Sequence, residues 1–273
     1  MLRFLLFATF GALVLGDTVV PYKNVTNVKP QGKVIGGYVS APNAWPWQAS
    51  LRTQSGICYV HVCGGVLIRK QWVLTTAQCV DGIQISTVVL GDHDLTSAEM
   101  GKEQYYGVSS VYIHPGWNRD LTAGNDIALI RLTSEAILNA YVKLAPLPST
   151  GQILPGNTNC YVTGWGVTQT GGFLSAQLKY AQLLTVDYAT CSTSNWWGSK
   201  VKSTMICAGG GTNSACNGDA GGPLNCMVGA SYVVHGLTSF VSAAGCNTIG
   251  KPTVFTRVSA YTPWVIGVST RQQ

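Results

Sequence analysis

The sequence predicts an all-β protein, a barrel or sandwich of short strands with one helix at the C-terminus. Three observations predict it. Only 10% of the 273 residues are charged while 46% are hydrophobic, with eight Trp and twelve Tyr. Such a chain buries enough apolar surface to offset the entropy of ordering it, which excludes disorder, coiled coils and charged tails. Short apolar or alternating runs recur between Gly, Pro, Asn and Ser, the pattern of strands and turns. No repeat of about 20 to 50 residues runs through the chain, which sets a propeller or solenoid aside.

Taken in order, Gln71 to Thr75, Tyr106 to Ile113, Asp126 to Leu132, Cys160 to Thr163, Tyr232 to His235 and Val254 to Val258 read as strands. The length admits one large β unit or two small lobes sharing an interface. Near the end, Thr262-Pro263 suits an N-cap followed by Pro at the first helical position, with Trp264, Val265 and Val268 on one face.

The N-terminus has a different character. Met1-Leu2-Arg3 is a short basic start, Phe4 to Leu15 is apolar, and Val14-Leu15-Gly16 offers small residues for cleavage. Residues 1–16 therefore read as a signal peptide. Residues 17–33 are polar, with a glycosylation sequon at Asn24-Val25-Thr26, and read as a pro-segment ahead of a domain over 34–273. No later stretch reaches the roughly 18 apolar residues of a membrane span. The expectation is a secreted, extracellular protein without a membrane anchor, in a compartment where disulfides form. A net charge of +6, from 17 basic and 11 acidic residues, is scattered without runs. It reads as solubility and not as a nucleic-acid footprint.

Four segments carry the chemistry: Lys33-Val34-Ile35-Gly36-Gly37, Thr75-Thr76-Ala77-Gln78-Cys79, Asn125-Asp126-Ile127-Ala128-Leu129 and Gly218-Asp219-Ala220-Gly221-Gly222-Pro223. In this order they resemble the chymotrypsin-like serine proteases, from about Val34 to the C-terminus. Cys63-Gly64-Gly65, His114-Pro115-Gly116-Trp117-Asn118, Thr163-Gly164-Trp165-Gly166 and the run from Lys251 to Arg257 place the chain nearest the vertebrate pancreatic elastases. The resemblance implies two six-stranded antiparallel β-barrels with the active site between them.

The departures bear on catalysis. The family's nucleophilic serine gives its proton to a histidine that a buried aspartate orients. Asp126 matches the aspartate, but Gln78 stands at the histidine position and Ala220 at the serine position. A primary amide accepts no proton near neutral pH, and a methyl group has no attacking atom. His61, His93, His114 and His235 lie in no motif that brings them to the cleft. What survives is the oxyanion hole and substrate positioning, together good for about 10³ to 10⁴ over water in this chemistry. On this reasoning the chain is expected not to be an enzyme.

The resemblance implies more by position. The backbone N–H groups of Gly218 and Ala220 would form the oxyanion hole. Ser214 matches the floor of the primary pocket, and Val241 and Thr253 match bulky residues that restrict it to small apolar side chains. Ser239 and Val241 match the strand that pairs with an extended peptide. Cleavage after Lys33 would free the Val34 ammonium to pair with Asp219. Asp92 and Glu103, with Asp94 and Glu99 between them, resemble a calcium loop, so the cofactor implied is Ca²⁺ and no organic group. The loop is one residue longer than in the elastases. Among the nine cysteines the resemblance implies the pairs Cys63–Cys79, Cys160–Cys226, Cys191–Cys207 and Cys216–Cys246. Cys58 is left over in a surface loop, a buried or capped thiol or half of an intermolecular disulfide.

The reading is a secreted, elastase-like protease homologue that binds a peptide, a protease inhibitor or another extracellular ligand. It engages no nucleic acid or membrane, and is a monomer unless Cys58 links chains. The alternative is an elastase-type endopeptidase with weak residual proteolysis, or an engineered inactive form of one.

Overall fold

The computed structural model describes residues 35–271. The segments expected to be a signal peptide and a pro-segment, with Asn24 and Lys33, and also Val34, lie outside the described residues. The chain starts with β1 (Tyr38–Val39), β2 (Gln48–Ser55), β3 (Cys58–Arg69) and β4 (Trp72–Thr75). Next come β5 (Thr87–Leu90), β6 (Gln104–Tyr106), β7 (Val108–Ile113) and β8 (Ala128–Leu132). The second half holds β9 (Asn159–Gly164), β10 (Lys179–Val186), the short helix α1 (Tyr188–Cys191) and β11 (Met205–Ala208). It ends with β12 (Pro223–Val228), β13 (Ser231–Phe240), β14 (Thr253–Arg257) and the helix α2 (Val258–Arg271).

These strands form two seven-stranded antiparallel sheets, ordered β6-β5-β2-β3-β4-β8-β7 and β1-β10-β11-β14-β13-β12-β9. The expected pair of β-barrels is borne out, and two details account for the seventh strand of each sheet. In the second sheet β9 also pairs with β10, closing six strands, and β1 adds a seventh at the edge through Tyr38↔Tyr180. In the first sheet the run Tyr106 to Ile113 is broken at Gly107, whose carbonyl accepts from Thr133 N–H at 3.0 Å, so it yields two strands at opposite ends.

Alternation decides which face each strand buries. Along β10, Ala181, Leu183 and Thr185 point inward while Gln182 and Leu184 face solvent, as a period of two requires. Ala181 and Leu183 join Val162, Leu224 and Phe255 in the core of the second sheet. Leu51, Leu67, Val88 and Ile130 fill the first. A third cluster, with Trp47, Leu74, Trp165, Leu237 and Val265, packs residues of both sheets and of α2 together. Trp47 Nε1 donates across it to Asn225 Oδ1 at 2.8 Å.

The C-terminal helix starts four residues before the expected N-cap, so Pro263 lies inside it. Proline has no N–H for the carbonyl four residues back. That carbonyl, of Ser259, instead accepts from Gly151 N–H at 2.8 Å. The burial of Val258, Tyr261 and Val265 against the core holds the extra turn. Trp264 and Val268 pack on the same cluster. The four disulfides Cys63–Cys79, Cys160–Cys226, Cys191–Cys207 and Cys216–Cys246 brace the sheets, each contributing about 2 to 4 kcal/mol by restricting the unfolded chain. Cys58 is free and exposed beside the β2–β3 turn, where Ser55 faces Cys58, so it is not a buried thiol.

Phe255 is fully buried, whereas Ile57 is 98% exposed. Urea denaturation of Phe255→Ala is expected to show a loss of about 3 to 5 kcal/mol, and Ile57→Ala a change within about 0.5 kcal/mol.

Candidate active site

The site lies where the ends of both sheets meet. A 3₁₀ turn, Ala77–Cys79, follows β4 and carries Gln78, and the disulfide from Cys79 to Cys63 ties it to β3. Asp126 lies just ahead of β8 and is 1% exposed. Its Oδ1 accepts from Gln78 N–H at 2.9 Å. Its Oδ2 accepts from Gln78 Nε2 at 2.6 Å and from Ser239 Oγ at 2.7 Å. Burial pushes the Asp126 pKa up, and the donors from Ser239 and Gln78 oppose it. Ser239 belongs to the second sheet, at an irregularity between Thr238 and Phe240 in the β13–β14 pairing.

This arrangement fixes the orientation of the Gln78 amide. Nε2 also donates to the Ser239 carbonyl at 2.7 Å. Two acceptors in contact with one amide atom identify that atom as the nitrogen. Both of its hydrogens are then used, and Oε1 has no partner among the described residues. Gln78 lines a cleft of about 380 Å³ shared with Gly218, Ala220, Ser239, Val241 and Ser242.

Ala220 sits in the loop between β11 and β12, half-buried against the core of the first sheet. Gly64 N–H donates to its carbonyl at 2.8 Å. Gly218 has φ +95°, a conformation that only glycine adopts without strain, and an added Cβ would stand 2.5 Å from Leu174 Cδ2. The N–H groups of Gly218 and Ala220 find no acceptor among the described residues, and both residues line the cleft.

Asp219 between them is fully buried. Its Oδ1 accepts from Gly166 N–H at 2.8 Å and its Oδ2 from Cys216 N–H at 2.9 Å. The glycines of Thr163-Gly164-Trp165-Gly166 make room for this carboxylate. A Cβ on Gly164 would stand 2.1 Å from Oδ1, and one on Gly166 2.4 Å from Cγ. Burial raises the Asp219 pKa to about 6. His61 makes no hydrogen bond to Asp219 among the described residues. Its Nε2 donates to the Gly218 carbonyl at 3.0 Å and its Nδ1 accepts from Ser50 Oγ at 2.8 Å. Burial lowers its pKa to about 4, so the ring is neutral. Ser50 and His61 are 0% and 5% exposed and lie outside the lining of the cleft.

The residues assigned to the primary pocket separate. Ser239 and Val241 line the cleft, but Ser214 and Thr253 do not. They are buried behind the wall, with Ser214 Oγ 3.0 Å from Thr253 Oγ1 and bonded to the Cys246 carbonyl. Thr253 Oγ1 also accepts from Ala215 N–H at 3.1 Å. Their hydroxyls satisfy one another and the backbone, so they shape the wall from within.

The acidic loop divides similarly. Ligand oxygens of Asp92, Glu99 and Glu103 lie within 4.8 Å of one another. Asp94 stands apart, because its Oδ1 accepts from Thr96 N–H at 3.0 Å and from Thr96 Oγ1 at 2.6 Å. Asp92 Oδ1 and Glu99 Oε2 are buried without a donor. Hard oxygen ligands and bare buried carboxylate oxygens fit a calcium ion. Of the other histidines, His114 packs on Tyr261 and Trp264. His93 and His235 are buried, and neither lines the cleft.

A sequence profile of the trypsin family matches residues 34–265. The chain belongs to that family. It is 51% identical over 257 residues to chymotrypsin-like elastase family member 1 of Bos taurus, covering 93% of this chain and 96% of the relative. The human protein of that name is 51% identical over 254 residues, covering 92% and 98%. Human chymotrypsin-like elastase family member 3B is 50% identical over 241 residues, covering 87% and 89%. These relatives overturn the expectation, drawn from Gln78 and Ala220, that the chain is not an enzyme. Proteins half identical to it over most of both chains are named as elastase family members, which points to a protease.

Several residues escaped sequence reasoning. Ser50 beneath His61, and the N–H groups of Gly166 and Cys216 on Asp219, carry no motif of their own. Only the close spacing of Gly164 and Gly166 hints that something large must approach the backbone there.

Asp219 gives a pH prediction. Its pKa is about 6 in the fold against 3.8 ordinarily, so folding takes up a proton between those values. Its contribution to stability is greatest below pH 4 and falls as pH rises through 6, by about 3 kcal/mol in all. Urea denaturation from pH 4 to 7 is expected to lose this downward slope in Asp219→Asn. Equal slopes in both proteins would mean that Asp219 is ionised throughout.

Proposed function

We propose that the chain is a secreted, extracellular endopeptidase of the elastase type, which binds extended peptides with small apolar side chains and hydrolyses them weakly. One observation carries the reading: Gly218 and Ala220, whose N–H groups have no acceptor among the described residues, both line the cleft. They would stabilise charge on a scissile carbonyl whatever attacks it. Val241, just past the end of β13, would offer the peptide a main-chain partner. Gln78 Oε1 accepts a hydrogen bond from a water and holds it facing the carbonyl. The water adds its oxygen to the carbonyl carbon as the C–O π bond opens, and its proton passes to solvent; the tetrahedral adduct then collapses, the C–N bond breaks, and the leaving amine takes a proton from solvent. Gln78 thus positions the nucleophile and takes no proton.

The same cleft would take the exposed loop of a protease inhibitor, with no nucleic acid or membrane involved. Activation would follow cleavage after Lys33, with the new Val34 ammonium neutralising Asp219. Asp92, Glu99 and Glu103 would hold calcium, which fastens the loop between them. The protein is proposed as a monomer, with Cys58 open to thiol exchange. A nonreducing gel of the secreted protein is expected to show one chain, and a dimer that Cys58→Ser abolishes would contradict this.

Hydrolysis is tested on protein cleaved after Lys33, using a peptide anilide ending in Ala. A rate about 10³ to 10⁴ above water is expected, with no break near pH 6.5, because no histidine titrates in the step. Gly218→Ala should abolish it, and Gln78→His with Ala220→Ser should raise it by orders of magnitude. A rate equal to buffer, or one that Gly218→Ala leaves unchanged, would overturn the proposal.

A further inference from the structure

The carboxylate cluster contains a cation of the chain's own. Arg52, on β2, bonds Asp92 Oδ2 through Nη2, and the two side chains are 12% and 0% exposed. Its Nε donates to Ser50 Oγ at 3.2 Å, the hydroxyl that also bonds His61. The backbone is equally fixed, since Arg52 pairs with Thr87 at the start of β5, the strand that leads into Asp92. A guanidinium held at both ends and largely removed from water is a fixed positive charge, unlike a mobile surface arginine. Lys102 Nζ lies 3.3 Å from Glu99 Oε1, on the more exposed side.

The cluster is only partly neutralised. Three carboxylates meet there, yet Asp92 Oδ1, on a side chain with no exposure, and Glu99 Oε2 have no donor. Arg52 reaches one oxygen of Asp92 and leaves the other bare. We propose that Arg52 is a built-in counter-cation that competes with calcium for this cluster. Without metal it holds Asp92 and the loop that ends at Glu103. With metal its charge stays beside the ion, so calcium binds more weakly than the three carboxylates alone would allow. The inference rests on the calcium reading above. Two like charges a few ångströms apart in a poorly solvated site weaken binding by about tenfold or more.

The test compares the full chain with Arg52→Gln and Arg52→Lys, using calcium titration calorimetry and thermal unfolding in chelator and in calcium. Arg52→Gln is expected to bind calcium about tenfold or more tightly than the unaltered protein. It should melt at a lower temperature in chelator and recover most of that loss in calcium. Arg52→Lys keeps the charge and should keep the weak binding. Equal affinity in the unaltered protein and Arg52→Gln overturns the role of Arg52 while leaving calcium in place. Binding by neither protein overturns the calcium reading and the competition with it.

Discussion

The buried carboxylate of Asp126 is the interaction on which the site depends. It leads into β8 of the first sheet, yet one of its donors, Ser239 Oγ, lies in the second. Its own carbonyl accepts from Thr256 Oγ1, also in the second sheet, at 2.7 Å. An ionised group stripped of water is costly unless hydrogen bonds replace the solvent. Three side-chain and backbone donors do so here and draw the edges of both sheets together. The cleft is the space left between those edges. Gln78 answers the same demand, giving the carboxylate both its main-chain and its side-chain N–H, and its Oε1 is left without a partner among the described residues.

A second buried carboxylate organises the other wall. Asp219 takes its hydrogen bonds from the backbone alone, at Gly166 and Cys216. Gly218 and Ala220 flank it, so the loop that buries Asp219 also presents their N–H groups. The function proposed here draws on that backbone and on a water placed by Gln78, and on no side-chain nucleophile or base, which is why it survives an amide at 78 and a methyl group at 220. The carboxylate cluster around Asp92 completes the pattern. There the donors are fewer, and one oxygen each of Asp92 and Glu99 stays bare beside the Arg52 guanidinium.

Much of this was legible in the sequence, for reasons that differ by feature. Strands were found where apolar runs met turn residues, and their ends were misjudged where a single residue decided the matter, as at Gly107. The helix start was missed because the cue was local, a Thr-Pro step, while burial of Val258 and Tyr261 against a distant core extended the helix backward. Ser214 and Thr253 were assigned to the pocket surface by position, but two hydroxyls that satisfy each other can sit behind it. The likeness to a calcium loop groups Asp94 with Asp92, and its turn to Thr96 sets it apart. Residue types announced the carboxylates, whereas backbone donors carry no sequence signal. The meaning of Gln78 and Ala220 for activity was drawn too far from two positions, and the likeness to elastase family members over most of the chain corrects it.

The central claim is that a peptide carbonyl enters the space in front of the Gly218 and Ala220 N–H groups. Amide proton shifts on titration with a short peptide bearing Ala at the cleaved position test this most directly. Hydrogen bonding to the carbonyl oxygen should move both amide protons downfield together, saturating with one dissociation constant. Saturable binding that shifts residues elsewhere while leaving these two amides unmoved would contradict the account.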